Sequence, residues 1–134
     1  MMRSFGSRSD CFVTDEPLYA HYLRETGAEH PAREHVIAAH EPDWRRVAGF
    51  LTGPVPRGRG VWYQKHMAHH LAGDLAGEGS WGWMLGLTNV LLVREPEEMI
   101  TSYIKVMPSP RAEDLGLPRQ VRLFEWLERE TGRR

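Results

Sequence analysis

The sequence predicts an α/β fold, a layered arrangement of helices over a parallel sheet. Three observations carry that prediction. Short apolar runs rich in β-branched or aromatic residues recur at 11–15, 61–65 and 89–95. Helical stretches separate them, and several of those stretches open on proline or close on glycine. With 134 residues the chain has material for one domain, residues 1–134, around one core.

Each element has its own justification. "MMRSFGSR" reads as the later part of a helix with no strand before it. "CFVTD" at 11–15 is a short apolar run stopped by acids and Pro17, so it reads as a buried strand with Cys11 as a small buried residue in it. "EPLYAHYLRETG" places Pro17 at a helix start, Leu18, Tyr22 and Leu23 on one side, and Gly27 as the stop. "PAREHVIAAH" and "PDWRRVAGFLTG" each open on proline and read as two short helices, the second closing on Gly53. "GPVPRGRG" is a connection, and "VWYQK" at 61–65 is the second strand. "HMAHHLAGDL" reads as helical, "AGEGSWGW" as a loop or broken turn, and "NVLLVRE" at 89–95 as the strongest strand. "PEEMITSYIKVM" follows as a helix. "LPRQVRLFEWLERETG" is a final amphipathic helix with Val121, Phe124 and Leu127, joined by Trp126, facing inward.

Composition narrows the function classes. Seventeen basic against eighteen acidic side chains leave a formal charge of -1, which offers no global basic field for nucleic acid. Cys11 is the single cysteine, so an intrachain disulfide framework is excluded and a reducing compartment fits. No apolar run approaches the ~20 residues of a membrane helix, and "MMRSFGSRSD" has no apolar signal-peptide core. The expected location is the cytoplasm. Both ends look unfinished, because no strand precedes the first helix and none follows the last, so a sheet with missing members is expected.

The stretch "LLVREPEEMITSYIK" holds the first candidate site. A buried strand would deliver Arg94 to its C-terminal edge, where ligands sit in open α/β sheets. Pro96 suits the first turn of a helix whose N–H groups and dipole favour an anion. Ser102 falls about two turns into that helix, so Arg94 and Ser102 could share a phosphate. Glu97 and Glu98 oppose this unless they point to solvent. On spacing alone, an ordinary strand and capped helix explains the stretch, with Arg94 a surface ion-pair partner and Ser102 a filler.

"VWYQKHMAHH" holds the second. Lys65 and His66 follow a strand, and His66, His69 and His70 stand at i, i+3 and i+4, a spacing that would gather three imidazoles on one side of a helix. That set could hold zinc, but no acidic base sits within it, and solvated histidines often show the same spacing. In "VTDEPLYAHYL", Glu16 could orient or deprotonate a hydroxyl while Asp15 caps the helix, or both could be caps. Tyr19, Tyr22, Trp62, Trp81 and Trp83 could line a pocket or simply pack.

Taken together, these segments resemble the P-loop sulfotransferases. "LLVREPEEMITSY" is similar to that family's 3′-phosphate segment, an apolar strand, Arg, any residue, Pro, and a Ser eight residues after the Arg. The resemblance is nearer still to bacterial sulfotransferase-like proteins that read "RSFGSR…DEP.YAHYL…YQKHM.HH". Some of these carry a branched-chain aminotransferase label, but the chain has no pyridoxal-phosphate lysine motif or phosphate cup.

The resemblance implies a three-layer fold of the P-loop type and transfer of a sulfuryl group from 3′-phosphoadenosine 5′-phosphosulfate (PAPS) to a hydroxyl or amine. The implied partners are this nucleotide co-substrate and a small-molecule acceptor. By carry-over, Arg94 and Ser102 bind the 3′-phosphate, His66 is the general base, Lys65 supplies positive charge to the sulfuryl group, and Glu16 lies beside the acceptor. In cytosolic members one residue separates the lysine and histidine, so aligning on His66 puts Gln64 at the lysine position.

The family's 5′-phosphosulfate loop would stand immediately before "MMRSFGSR", and no such strand, Gly/Ser/Thr turn and helix is present. "PRGRG" at 56–60 cannot replace it, because it precedes a strand. The family's later nucleotide contacts are missing too. The expectation is therefore a partial sulfotransferase-like domain, inactive alone, with a nonenzymatic α/β fragment or interaction domain and a His-cluster metal protein as the alternatives.

Overall fold

In the computed structural model, residues 1–105 and 115–132 are described, apart from the side chains of Pro96 and Ser102. Helix α1 (Met2–Gly6) leads into β1 (Cys11–Asp15). A crossover of three helices, α2 (Tyr19–Thr26), α3 (Arg33–Ala39) and α4 (Trp44–Leu51), then returns the chain to β2 (Val61–Lys65). The two strands are parallel, with Cys11 opposite Val61 and Asp15 opposite Lys65. Parallel neighbours require a long return of this kind.

Alternation along the strands assigns their two faces. On one, the Trp62 indole N–H donates to the Thr14 hydroxyl at 2.8 Å, and the Gln64 amide donates to the Leu51 carbonyl at the end of α4 at 2.9 Å. On the other, Phe5 of α1 stacks on Tyr63 with centroids 4.2 Å apart. Of the predicted helix ends the glycine stop of α2 holds, whereas α2, α3 and α4 begin two residues after Pro17, Pro31 and Pro42. Gly27 closes α2 with φ +66°, a conformation that favours glycine. Asp43 opens α4 by accepting the Arg45 backbone N–H at 2.9 Å.

The third strand expected at 89–95 does not form among the described residues, and the sheet there has two strands. The segment has no regular secondary structure and pairs with no strand among the described residues, and a strand needs a partner for its backbone groups. Side chains hold it instead. Asn89 donates to the Met84 and Leu87 carbonyls, Gln120 donates to the Leu92 carbonyl at 2.7 Å, and Leu91 packs on the core. Val90 and Val93 stay more than four-fifths exposed.

The helix expected over "HMAHHLAGDL" is also replaced. Residues 68–70, 73–75, 78–80 and 82–86 form short 3-10 turns. Met67 is extended ahead of the first turn, and Gly73 adopts φ +57° beneath the Glu25 side chain, where an added Cβ would lie 2.5 Å from a carboxylate oxygen. These two backbone settings interrupt any continuous helix.

The chain ends in α5 (Pro96–Tyr103) and α6 (Leu117–Thr131). Trp81 is fully buried at the centre of the core, donates its indole N–H to the Leu75 carbonyl at 2.8 Å, and meets Trp126 edge to face at 5.6 Å. The inward stripe of α6 is thus Leu123, Trp126 and Leu127, an i, i+3, i+4 set, while Val121 and Phe124 are exposed. Of the expected inward residues, Trp126 and Leu127 hold and the other two turn outward. The helix enters through Gly116 at φ +69°, where an added Cβ would sit 3.0 Å from the His69 backbone nitrogen.

Candidate functional site

Parallel pairing puts the C-terminal ends of β1 and β2 side by side, so the residues that follow each strand meet. The Glu16 backbone N–H donates to the Lys65 carbonyl at 2.9 Å, and the Glu16 carbonyl accepts the Tyr19 N–H at 3.0 Å, turning the chain into α2. This turn holds Glu16 at φ +45°, a left-handed conformation that costs a non-glycine residue about 1–2 kcal/mol. Its carboxylate forms an ion pair with the Lys65 ammonium, which also lies 3.4 Å from Asp15 Oδ1. Partial burial opposes charge on Lys65, but the hydrogen bond and charge of Glu16, with Asp15 behind, outweigh it and raise its pKa.

His66 follows directly and is exposed at the surface. Its Nε2 lies 3.5 Å from Gln64 Oε1, and its ring faces Trp83 at 6.0 Å between centroids. Although part of the residue is open to solvent, the protein around the ring desolvates the imidazolium and lowers its pKa to about 4. His66 is therefore neutral at pH 7.

The three histidines do not converge. Among the described residues, no group of three His, Cys, Asp or Glu side chains is placed to hold a metal ion. His70 turns inward instead and is buried between Tyr19 and Tyr22, each 5.1 Å from it by ring centroid. Burial, then the neighbouring His69, His66 and Lys65, lower its pKa to about 3. The physical reason is local. The extended Met67 takes His66 off the turn that carries His69 and His70.

A groove of about 800 Å³ runs along β1 between the start of α2 and α4. Glu16 and Asp15 stand among its walls with Tyr19, and Phe12 and Phe50 contribute aromatic surface. Burial, then the charge of Glu16, raise the Tyr19 phenol's pKa, so it stays protonated. Sequence reasoning named Glu16 and Tyr19 here but missed Phe12 and Phe50. Period-two alternation along the strand is the signal that could have placed Phe12 on this side.

Arg94 is exposed in a surface depression shared with Glu97, Glu98, Thr101 and Lys105. Ser102 belongs to α5, and its side chain lies outside the described residues. The structure thus pairs Glu16 with Lys65, while His66, next in the chain, turns its ring toward Gln64 and Trp83. No hydrogen bond or ion pair among the described residues joins Arg94 to them.

Comparison with known proteins places the chain. A family model, the sulfotransferase domain, matches residues 1–129. The chain is 31% identical over 130 residues to branched-chain-amino-acid aminotransferase-like protein 2 of Arabidopsis thaliana. It is 32% identical over 131 residues to branched-chain-amino-acid aminotransferase-like protein 1 of the same plant. Each alignment covers 92% of this chain and 21% of the relative, so the chain spans about a fifth of the length of the curated relatives it matches. No solved structure matches it. With nearly its whole length matched, the chain belongs to the sulfotransferase domain family.

Proposed function

We propose that this chain serves sulfuryl transfer from PAPS to a hydroxyl or amine of a small acceptor in the cytoplasm, as one part of a longer sulfotransferase-like domain. The observation that supports the reading is the ion pair of Glu16 and Lys65 at the C-terminal edge of a parallel pair, with His66 next in the chain and Glu16 lining a groove. His66, neutral at pH 7, takes the acceptor proton. Lys65 supplies positive charge to the oxygens of the sulfuryl group in flight, and Glu16 holds the ammonium until then. Arg94 and Ser102 bind the 3′-phosphate of the nucleotide.

The aminotransferase in the relatives' names gains no support from the residues. The lysines of the chain are Lys65 and Lys105, and Lys65 is committed to two carboxylates. Calorimetric titration with adenosine 3′,5′-bisphosphate tests the nucleotide role. Binding should weaken at least tenfold in Arg94→Ala, the loss of one charge-assisted contact. Equal affinity in the variant would remove Arg94 from the site.

A further inference from the structure

Gln64 lies in β2 and His66 one residue beyond its end, and alternation puts both side chains on one side of the chain. The two ends of the Gln64 amide are chemically distinct, and the fold tells them apart. Its NH2 group donates to the carbonyl of Leu51, the last residue of α4, at 2.9 Å. A carbonyl only accepts, so the nitrogen end must face α4 and the oxygen end must face away from it.

That oxygen, Oε1, stands 3.5 Å from His66 Nε2. The contact is long, as those of catalytic groups often are before a ligand binds. An amide oxygen also only accepts, so the ring nitrogen beside it is the one that carries hydrogen. His66 is neutral at pH 7, and a neutral imidazole has a single N–H, which leaves Nδ1 bare. The ring's other neighbour, Trp83, is packed against the core and meets it at 6.0 Å between centroids, tilted by 52°. An indole has a donor but no acceptor, so Trp83 braces the ring without competing for its proton. Lys65, between the two residues in sequence, is held by Asp15 and Glu16.

We propose that Gln64 is a positioning residue that fixes His66 with its proton on Nε2, so that Nδ1 is the atom that receives the acceptor's proton. The base role rests on the sulfuryl-transfer reading above, whereas the fixed tautomer does not. With a hydroxyl acceptor, the O–H proton passes to Nδ1 and the oxygen's electron pair forms the new O–S bond. The S–O bond to the phosphate breaks, and its electron pair leaves on the adenosine bisphosphate. His66 becomes an imidazolium, and its Nε2–H keeps the same Gln64 oxygen before and after, so no partner has to turn during the step. A lysine at residue 64 would act oppositely. It has only donors, so it would require a bare Nε2 and drive the proton onto Nδ1.

Nitrogen-15 NMR of the imidazole at pH 7 reads the tautomer, because protonated and bare ring nitrogens resonate far apart. Among the chain's seven histidines, His66 is identified by the signals lost in His66→Asn. The wild type should show a protonated Nε2 and a bare Nδ1. In Gln64→Met, which has neither amide group, the second tautomer should appear beside the first, and in Gln64→Lys the pattern should reverse. Circular dichroism confirms that each variant is folded. In the complete domain, Gln64→Lys should lower kcat at least about tenfold with KM little changed, since the wrong tautomer removes the base and not the binding.

A bare Nε2 in the wild type overturns the proposal, as does a tautomer that neither substitution changes. A tautomer that follows Gln64, in a domain whose His66→Asn variant transfers sulfuryl groups at the wild-type rate, upholds the pair and removes the transfer role of His66. Loss of transfer in His66→Asn with a tautomer indifferent to Gln64 does the reverse.

Discussion

Gly116→Ala probes the junction between α6 and the turn behind His66. Gly116 adopts φ +69°, and a Cβ there would lie 3.0 Å from the His69 nitrogen and 3.4 Å from Ala68 Cβ. Gly27 provides the comparison, since it has φ +66° and nothing within 4 Å of an added Cβ. Gly27→Ala should therefore cost only the left-handed conformation, about 1 kcal/mol. Gly116→Ala carries the same cost plus the displacement of backbone from backbone, about 1–2 kcal/mol more. Urea unfolding measures the difference. With a slope of roughly 1.5 kcal/mol/M, the Gly116→Ala midpoint should fall below that of Gly27→Ala by about 1 M. Equal midpoints would refute the idea that the entry of α6 is packed against this turn. If α6 positions the turn, Gly116→Ala should also shift the NMR resonances of the His69 ring, while Gly27→Ala leaves them in place.

Two pH predictions follow from the same region. His70 is buried with its pKa lowered, so the unfolded chain binds a proton that the folded chain refuses. Stability present above pH 6.5 should then fall as the pH drops toward about 3, by up to on the order of 4 kcal/mol. His70→Phe should flatten that acid limb, and parallel profiles of variant and wild type would contradict the assignment. Lys65 has a raised pKa, so its contribution is complete below about pH 10.5 and disappears as the pH rises past its folded value. Lys65 and Glu16 are about a third exposed and Asp15 about half, which limits the effect to a few tenths of a kcal/mol. The gap between the denaturant midpoints of Lys65→Met and wild type should narrow as the pH rises above about 10.5, and a constant gap would count against the ion pair.

Much of the fold was legible because its signals are local. Prolines and glycines mark the helix ends, and two apolar runs with a helical return between them make a parallel pair. That pairing is also why Glu16 and Lys65 could be expected together. The run at 89–95 has the composition of a strand, but composition cannot supply a neighbour, and the described residues place none beside it. The histidine spacing was equally sound for a helix, yet the extended Met67 and the left-handed Gly73 break the helix that would have used it. On α6, Val121 and Leu127 were equally plausible inward residues until the position of Trp81 chose between the faces. The positive φ of Glu16 was invisible, since glutamate carries no preference for it.

That strained glutamate also bears on engineering. Replacing Glu16 with glycine would relax the backbone by about 1 kcal/mol, with the Lys65 ion pair lost in exchange. A search for thermostable variants that scores folding alone would therefore be drawn to the position where the proposed chemistry sits. Stabilised sequences from such a search should be screened for the carboxylate at residue 16 before they are screened for anything else.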